Sequence, residues 1–371
     1  MRVLLHCTYY PPEVGGLESH VAELARGLVE EGVEVRVVTS RSLPGLPVEE
    51  EKDGVLVRRT PLPSRNAAGW AAHAIASIPI TRRWAGWADV VHAQAFASVL
   101  PCRIGARGTG RPLVATFHTS HFLKRANKPM WRPILSALVR SADHALAASR
   151  EIAEVAEGLA PGRPVEALTN GVDTERFRPV EAALPSEEGI RSIVVPRRLF
   201  EKNGVHILVE ALPLLLERVP RLRVLLIGDG PERPRLETRV RELGVGHAAH
   251  FLGRREHAEM PALLASAELA VFPSLMEATS VAALECMACA LPVVASRVGG
   301  LPEIVDESCG RLVPPEDPVA LAEGIAELLL DPHLQSLGAH ARTRVVERWS
   351  NARLVARHLE IYRHLVDTKD R

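Results

Sequence analysis

The amino-acid sequence predicts an α/β protein composed of two doubly wound domains, each with a parallel sheet covered by helices on both faces. Short runs rich in valine, leucine and isoleucine alternate with amphipathic stretches almost from end to end, which is the pattern of strand–helix–strand units. The alternation occurs as two separate series. The chain has 371 residues, a length that suits two domains of about 150–200 residues each.

Each series contains six predicted strands. Those of the first series are Val3–Cys7, Val33–Thr39, Val55–Arg59, Asp89–His92, Leu113–His118 and His144–Ala148. Those of the second are Ser192–Val195, Arg223–Ile227, His250–Leu252, Leu269–Phe272, Val293–Ala295 and Gly310–Val313. Between the first two strands, apolar residues from Leu17 to Leu28 recur at helical spacing, and Gly32 supplies a stop.

The boundary between the domains is predicted near Phe177–Gly189, where prolines and a glycine interrupt a charged stretch without periodicity. We therefore expect a first domain at residues 1–183 and a second at 184–345. Past Pro318 the pattern is helical. Residues 346–371 are expected to form a last helix that packs back towards the first domain, with Trp349 and Tyr362 as anchors.

Composition excludes several classes of protein. The 45 basic residues cancel the 45 acidic ones, so no global field attracts nucleic acid. Five scattered cysteines predict free thiols and a reducing, cytoplasmic location. No apolar stretch approaches the roughly 18 residues of a membrane span. The oligomeric state is not determined by the sequence.

Two basic and aromatic segments leave open a peripheral contact with the inner membrane surface. They contain Lys124, Arg125, Lys128, Trp131 and Arg132 in one case, and Arg82, Arg83, Trp84 and Trp87 in the other. The alternative is an ordinary helix that packs on its domain with a cationic outer face.

Candidate site residues lie where the predicted strands end, because ligands of open parallel sheets bind beyond the carboxyl ends of the strands. Gly15 and Gly16 follow the first strand and precede a helix. Their backbone N–H groups could approach an anion, and a plain strand-to-helix turn is the alternative. His118 ends a strand and is a candidate catalytic residue, with a purely structural hydrogen-bonding role as its alternative.

The second series contains a cationic cluster. Arg197 and Arg198 follow the strand Ser192–Val195, and Lys202 comes shortly after them. A guanidinium fork and a movable ammonium suit a leaving diphosphate group, whereas a solvated basic turn is the alternative. Gly228 follows the next strand and marks a close backbone approach, without the glycine spacing of a dinucleotide site.

Two glutamates frame the start of a predicted helix. Glu277 precedes the helix, which begins near Thr279 or Ser280, and Glu285 lies within it. At about 1.5 Å per residue they would be about 12 Å apart, the span from ribose to hexose in a nucleotide sugar. The alternative, two solvated acids, does not explain why Glu285 lies among apolar residues.

The motifs continue in order along nearly the whole chain. They are Pro-Pro-Glu-Val-Gly15-Gly16-Leu-Glu, Thr116-Phe-His118, Asn170-Gly171-Val-Asp173, Arg197-Arg198-Leu199 with Lys202, Gly228-Asp229-Gly230-Pro231, Phe251-Leu-Gly253, Glu277 with Glu285, and Gly299-Gly300-Leu-Pro-Glu303. In this order and spacing they resemble family 4 of the retaining glycosyltransferases. The resemblance implies the GT-B fold, two Rossmann-like doubly wound domains that face each other across a cleft. The first would bind the acceptor and the second the nucleotide sugar.

The resemblance also implies roles for matching residues. Arg197 and Lys202 would contact the donor diphosphate, with Arg198 as a competitor for Arg197. Glu285 would hold the ribose, Glu277 the donor sugar, and Gly253 with Arg254 would lie near the base. His118 would lie near the reacting carbon. Gly16 would lie against the diphosphate or the acceptor, and Gly15 and Asn170 would contact the acceptor. Further contacts to the donor would come from Gly228, Ala278, Thr279, Ser280 and Val281.

One departure from the family is evident. After the first glutamate the family usually has Gly-Phe-Gly, whereas Ala278-Thr279-Ser280 stands here. The backbone N–H groups survive this change. Cys286 and Cys289 are expected to be neither a redox pair nor metal ligands. No Asp-x-Asp pair lies in a suitable loop, so a metal-independent reaction without a tightly bound cofactor is expected.

The expected reaction moves a hexosyl group from a nucleotide diphosphate sugar to a sugar, lipid-linked or polyol hydroxyl. It retains anomeric configuration and forms no covalent protein intermediate. Two enzymatic alternatives are a sugar-nucleotide epimerase of GT-B-like fold and an α-glucan phosphorylase. The second needs pyridoxal phosphate on a lysine. An inactive nucleotide-sugar-binding module is the non-enzymatic alternative.

Overall fold

The computed structural model describes residues 1–13, 15–118, 120–277 and 280–369, and for Ser120 the backbone alone. This part of the chain forms two compact units. Unit 1 contains Met1–Gly171 and Asn351–Arg371, and unit 2 contains Val172–Ser350. The first boundary lies earlier in the chain than position 183, because Phe177 is only 1% exposed within the core of unit 2. The second lies at 350, where Ser350 still pairs with Val172.

The strands form one sheet in each unit. In unit 1 they are β1 (Arg2–Cys7), β2 (Glu34–Arg41), β3 (Glu49–Lys52), β4 (Val55–Pro61), β5 (Val90–Gln94), β6 (Leu113–Phe117), β7 (His144–Ala147) and β8 (Val165–Ala167). In unit 2 they are β9 (Arg191–Pro196), β10 (Leu222–Ile227), β11 (Ala249–Gly253), β12 (Leu269–Phe272), β13 (Val293–Ser296) and β14 (Gly310–Val313).

Helices connect these strands. They are α1 (Gly16–Glu30), α2 (Ala67–Trp87), α3 (Phe96–Gly105), α4 (Ser120–Ala126), α5 (Arg132–Ser141), α6 (Arg150–Leu159), α7 (Val205–Arg218), α8 (Arg233–Glu242), α9 (Met260–Leu264), α10 (Val281–Ala288), α11 (Leu301–Ile304), α12 (Pro318–Leu330), α13 (Leu334–Arg348) and α14 (Asn351–Lys369). Two short 3-10 turns, Pro129–Trp131 and Glu201–Asn203, complete the described secondary structure.

Both sheets have the doubly wound order. In unit 2 the order is β11-β10-β9-β12-β13-β14, and every neighbouring pair is parallel. Numbered from its own first strand, this is the 3-2-1-4-5-6 order, in which ligands bind where the winding reverses. In unit 1 the order is β3-β4-β2-β1-β5-β6-β7-β8. The reversal points are therefore β1/β5 in unit 1 and β9/β12 in unit 2.

The two edge strands β3 and β8 are absent from the sequence-based list. β3 reads Glu-Glu-Glu-Lys and pairs antiparallel with β4, so its residues show neither an apolar run nor alternation. The feature of the sequence that indicates β3 is the turn that follows it. Asp53 has φ 53° and Gly54 has φ 73°, the positive values of a two-residue hairpin turn that favours Asp-Gly. The otherwise parallel sheet of unit 1 thus has one antiparallel edge.

The C-terminal helix α14 belongs to unit 1, where it packs against α1. Tyr362 is fully buried in the unit 1 core, and its hydroxyl lies 2.6 Å from His92 Nδ1. Burial of one such side chain contributes about 1.5–3 kcal/mol. Trp349, just before the helix, packs instead against the core of unit 2.

Unit 1 buries six histidines, which are His6, His20, His73, His92, His118 and His358. Burial lowers the pKa of His6 and His118 to about 3 and that of His73 and His358 to about 4. For His20 and His92, burial and neighbouring histidines hold the pKa well below 6.5. The folded unit therefore keeps these rings neutral, whereas the unfolded chain protonates them near pH 6.5.

We expect unit 1 to lose stability as the pH falls from about 6.5 towards 4. In that window the unfolded chain binds more protons than the folded unit, and each ring removes about 1.4 kcal/mol per pH unit. Denaturant unfolding followed by tryptophan fluorescence reports mainly on unit 1, which holds Trp70, Trp84, Trp87 and Trp131. His6→Asn should reduce the pH dependence, and His333→Asn at an exposed position of unit 2 should not. An unfolding midpoint that stays constant between pH 7 and pH 5 would contradict this account.

Candidate functional site

The loops after β9 and β12 meet at the reversal point of the unit 2 sheet. The carbonyl of Lys202 accepts hydrogen bonds from the backbone N–H groups of Leu275 at 2.9 Å and Met276 at 3.2 Å. Gly204 has φ 66°, and a Cβ there would lie 1.8 Å from the carbonyl oxygen of Pro273. Only glycine fits this close approach, so the chain locally requires it to bring the two loops together.

Arg197 is the centre of the site. Its Nη2 donates to Asn203 Oδ1 at 2.8 Å, Ser274 Oγ at 3.0 Å and Glu277 Oε2 at 2.5 Å. Its Nη1 lies 3.4 Å from Ser280 Oγ. The side chains of Arg197 and Glu277 are only 9% and 15% exposed. The cation is therefore held rigidly, by one charge partner and three polar ones from both loops.

The third nitrogen of the Arg197 guanidinium, Nε, differs from the other two. It is buried and has no hydrogen-bond partner among the described residues. A buried N–H of a charged group is costly to leave unpaired. This orphan donor marks a place where an anionic ligand would be favoured.

The neighbouring cations are placed differently. Arg198 is exposed, and its guanidinium lies 5.5 Å from the centroid of the Phe200 ring. Lys202 is exposed in the 3-10 turn Glu201–Asn203. Arg197 thus lies within the cluster, whereas the side chains of Arg198 and Lys202 are exposed.

The predicted helix start is observed at Ser280, which caps α10. Its hydroxyl accepts from the backbone N–H of Ala283 at 3.3 Å, and Val281 is the first helical residue. A capped helix start carries a partial positive charge. Ala278 and Thr279 were also predicted to bind the donor, and they lie outside the described residues.

Glu285 lies on α10, with its side chain 13% exposed. Its Oε1 lies 2.8 Å from His257 Nε2, and His257 Nδ1 lies 3.2 Å from Arg176 Nη1. Because the guanidinium can only donate, His257 Nδ1 accepts the hydrogen bond from Arg176. The ring proton is therefore on Nε2, which donates a hydrogen bond to Glu285. Sequence reasoning missed His257, although it follows β11 and the strand-end rule points to it.

Two glycines of the site, Gly228 and Gly253, bring backbone segments close together. Gly228 has φ 139°, and a Cβ there would lie 2.2 Å from the carbonyl oxygen of Arg197. Its N–H donates to the carbonyl of Gly253 at 2.9 Å. Arg254 follows as an exposed side chain. The structure thus brings Gly228, Gly253 and Arg197 to the same edge of the unit 2 sheet.

In unit 1, His118 is a neutral, oriented ring. Its Nε2 lies 2.7 Å from Gln94 Oε1, which can only accept, so Nε2 carries the proton. Its Nδ1 is buried without a partner among the described residues. With burial lowering the pKa to about 3, this ring is a weak base and an unused acceptor near neutral pH.

The other predicted positions of unit 1 lie at loop ends. Gly15 precedes α1 and Gly16 begins it, and a Cβ on Gly16 would meet open space. The Glu18 carboxylate lies beside Gly15, which disfavours an anion at this helix start. Asn170 is 6% exposed, and its Oδ1 has no partner in the described ranges.

The cysteines are inert. All five are free and buried. Burial, with Cys289 and Glu285 nearby, raises the pKa of Cys286 well above its ordinary value, and burial raises that of Cys289 to about 12. A thiol in this state is a poor nucleophile and metal ligand. Over the described residues, no three His, Cys, Asp or Glu side chains are grouped as a metal site, and no helix has the length and apolarity to cross a bilayer.

Comparisons with known proteins cover both units. The sequence family "Glycosyltransferase Family 4" matches residues 14–176, and "Glycosyl transferases group 1" matches residues 179–344. D-inositol 3-phosphate glycosyltransferase 1 of Catenulispora acidiphila is 32% identical, with 96% of this chain and 92% of that protein covered. The GDP-mannose-dependent alpha-(1-6)-phosphatidylinositol monomannoside mannosyltransferase of Mycolicibacterium smegmatis is 30% identical, with 94% of each covered.

Solved structures show the same fold. Sucrose-phosphate synthase from Thermosynechococcus elongatus superimposes with a TM-score of 0.86 over 99% of both chains at 24% identity. Anabaena Alr3699/HepE, in complex with UDP-glucose, gives a TM-score of 0.75 over 97% of this chain and 99% of that one at 19% identity. The predicted GT-B fold is confirmed.

We expect the Arg197–Glu277 pair to be energetically coupled. Arg197→Met should lower the free energy of unfolding of unit 2 by about 3–5 kcal/mol, because it leaves a buried carboxylate unpaired. Glu277→Leu should be costly for the converse reason, and the double variant should cost less than the sum of the two. Arg235→Met breaks an exposed ion pair with Glu232 and should cost less than about 1 kcal/mol. Additive costs in the double variant would show that the two charges do not interact.

Proposed function

We propose that this chain, which belongs to glycosyltransferase family 4, transfers a hexosyl group from a nucleotide diphosphate sugar to an acceptor hydroxyl with retention of anomeric configuration. One observation carries the proposal. A rigid, nearly buried guanidinium, whose Nε has no partner among the residues that the structure describes, meets the turn that contains Lys202 and a capped helix start at the reversal point of the unit 2 sheet. Fixed positive charge at this point suits a diphosphate.

The diphosphate is the leaving group of the proposed reaction, and negative charge grows on it as the bond to the sugar breaks. We assign the contact to Arg197 rather than Arg198, since Arg197 is fixed at the sheet edge and Arg198 faces solvent. Lys202 adds an ammonium charge, and the N–H groups at the start of α10 add partial charge. Gly228 permits its backbone to approach the carbonyl of Arg197 closely, which holds the loops after β9 and β10 together at this edge of the sheet.

The two glutamates bind hydroxyl groups in this proposal. Glu285 accepts from the ribose, and its carboxylate is oriented by His257. Glu277 Oε2 accepts a hydrogen bond from Arg197. No described residue donates to Glu277 Oε1, which can therefore accept from a hydroxyl group of the donor sugar. Gly253 and Arg254 lie at the end of β11, where the base would be placed.

The transfer itself needs no protein nucleophile. In the proposed front-face reaction the bond from the anomeric carbon to the leaving phosphate oxygen breaks, and a bond to the acceptor oxygen forms on the same face. The acceptor proton passes to the leaving phosphate oxygen. His118 cannot be an acid near neutral pH, because its pKa lies at about 3, so we assign it to hold a donor-sugar hydroxyl through Nδ1.

Unit 1 would bind the acceptor. The carboxylate beside Gly15 can accept from hydroxyl groups and repels phosphate, so we assign Gly15 and Gly16 to the acceptor rather than the diphosphate. The unpaired Oδ1 of Asn170 offers a further acceptor atom. The named relatives act on an inositol phosphate and a phosphatidylinositol mannoside, so a polyol or lipid-linked acceptor is our proposal. The five reduced thiols favour the cytoplasm.

A thermal-shift panel of nucleoside diphosphates and their sugars, followed by product analysis, tests this function. A binding donor should raise the unfolding midpoint in proportion to ln(1 + [L]/Kd). Transfer to an added acceptor with the donor's anomeric configuration kept would support the proposal. Conversion of the donor without an acceptor would identify an epimerase instead. Binding without any turnover would identify an inactive binding module.

Lys202→Ala should lower turnover by about two orders of magnitude or more, because it removes a charge that stabilises the leaving group. Its unfolding midpoint should stay near that of the wild type. Lys52→Ala, an exposed position on β3, is the matched control and should keep full turnover. Wild-type turnover of Lys202→Ala would remove Lys202 from the site.

Glu285→Gln and His257→Asn should weaken discrimination between a nucleoside diphosphate and its 2′-deoxy analogue. The first removes the charge that pairs with the ribose hydroxyls, and the second removes the hydrogen bond that orients this carboxylate. We expect about a ten-fold loss of the affinity ratio for Glu285→Gln and a smaller loss for His257→Asn. His250→Asn, an exposed histidine on β11, serves as the control. An unchanged ratio in both variants would place the ribose elsewhere.

A further inference from the structure

Positive charge is concentrated in one segment of a chain whose overall net charge is zero. Residues 66–142 contain a single acid, Asp89, and its carboxylate already pairs with Arg2 at 3.0 Å. The same segment contains ten basic residues, which are Arg82, Arg83, Arg103, Arg107, Arg111, Lys124, Arg125, Lys128, Arg132 and Arg140. This segment contains the helices α2, α3, α4 and α5 of unit 1, together with the buried strands β5 and β6.

Large apolar side chains are exposed in the same segment. Ile75 is 69% exposed, Leu100 55%, Ile104 40%, Met130 75% and Ile134 49%. Isolated exposed apolar residues are ordinary on any surface, but several of them on adjacent helices mark an interaction site. α2 packs against α3, and α3 packs against α5.

The exposed residues follow helical spacing on each element. On α3, Leu100 lies three residues from Arg103 and four from Ile104, so the three share the outer side of the helix, and Arg107 is exposed in the turn that follows. On α2, Ile75 and Arg82 lie seven residues apart and are both exposed. We call the outer sides of α2, α3 and α5 the basic-apolar face.

The helix α5 and the turn before it show the same combination of exposed apolar and basic residues. Met130, in the turn before α5, and Ile134 lie four residues apart, and Lys128 and Arg132 are exposed beside them. Trp84 and Trp87 contribute less exposed apolar surface to this face than the sequence predicts. Trp84 is only 4% exposed, and the Arg36 guanidinium covers Trp87 at 3.9 Å. The apolar tips of this face are aliphatic.

We propose that the basic-apolar face docks onto an anionic lipid surface. Cations next to aliphatic tips suit the boundary between headgroups and acyl chains, where the cations meet lipid phosphates and the tips enter the apolar layer. A nucleic acid would use the charges and leave the aliphatic tips without a partner. The inference goes beyond the transfer reaction and uses none of the residues assigned to it.

Vesicle flotation tests the proposal with the full chain. Wild-type protein should float with vesicles in which a third of the phosphatidylcholine is replaced by phosphatidylglycerol, and should not float with phosphatidylcholine alone. Two double variants test the two components of the face separately. Arg103→Glu/Arg107→Glu reverses basic charges, and Leu100→Ser/Ile104→Ser removes apolar side chains that would insert into the membrane. Each should lower the bound fraction by about five-fold or more.

Unit 2 offers matched controls. Arg235→Glu/Arg241→Glu makes the same charge change at exposed positions, and Val319→Ser/Leu330→Ser removes side chains that are 54% and 61% exposed. Both controls should float like the wild type, and all four variants should keep its unfolding midpoint. Three outcomes would overturn the proposal: no flotation of the wild type, equal losses in the controls, or full binding by Leu100→Ser/Ile104→Ser.

Discussion

The ionic cluster around Arg197 is the constraint on which unit 2 is built. A guanidinium that is 9% exposed can be stable only if carboxylate and hydroxyl partners surround it, and these come from two loops that are distant in sequence. The cluster fixes where the chain leaves β9 and where α10 begins. It also explains the glycines beside it, since Gly204 and Gly228 let backbone segments approach at distances that a Cβ would prevent. A preorganised charge needs no rearrangement when a ligand develops negative charge.

The general fold could be predicted from the sequence because buried parallel strands read as continuous apolar runs. β1, β5 and β6 are examples, with nearly every residue buried. The edge strands could not be found in the same way, because β3 is acidic and β8 has only three residues. The position of Phe177 was also beyond the pattern. The prolines that mark the boundary come after it in the sequence, and what decides its unit is the core in which it is buried.

Where the candidate site residues lie in the fold could be predicted from the sequence, but their partners could not. The strand-end rule located Arg197, Glu277 and Glu285, whereas the pairing of Arg197 with Glu277 and of Glu285 with His257 depends on tertiary contacts. The same holds in unit 1. His118 could be named from its strand, but its neutral state follows from burial next to other histidines and from the Gln94 carbonyl. The roles assigned to these residues remain predictions that extend from the observed contacts.

The most direct measurement is a crystal structure of the protein with a nucleoside 5′-diphosphate. The account predicts that the phosphates lie beyond the carboxyl ends of β9 and β12. A β-phosphate oxygen should lie within about 3 Å of a nitrogen of Arg197 or Lys202, and the ribose hydroxyls should contact Glu285. Density for the diphosphate at any other edge of unit 2, or on the outward-facing Arg198 alone, would contradict the claim that the buried cluster is the donor site.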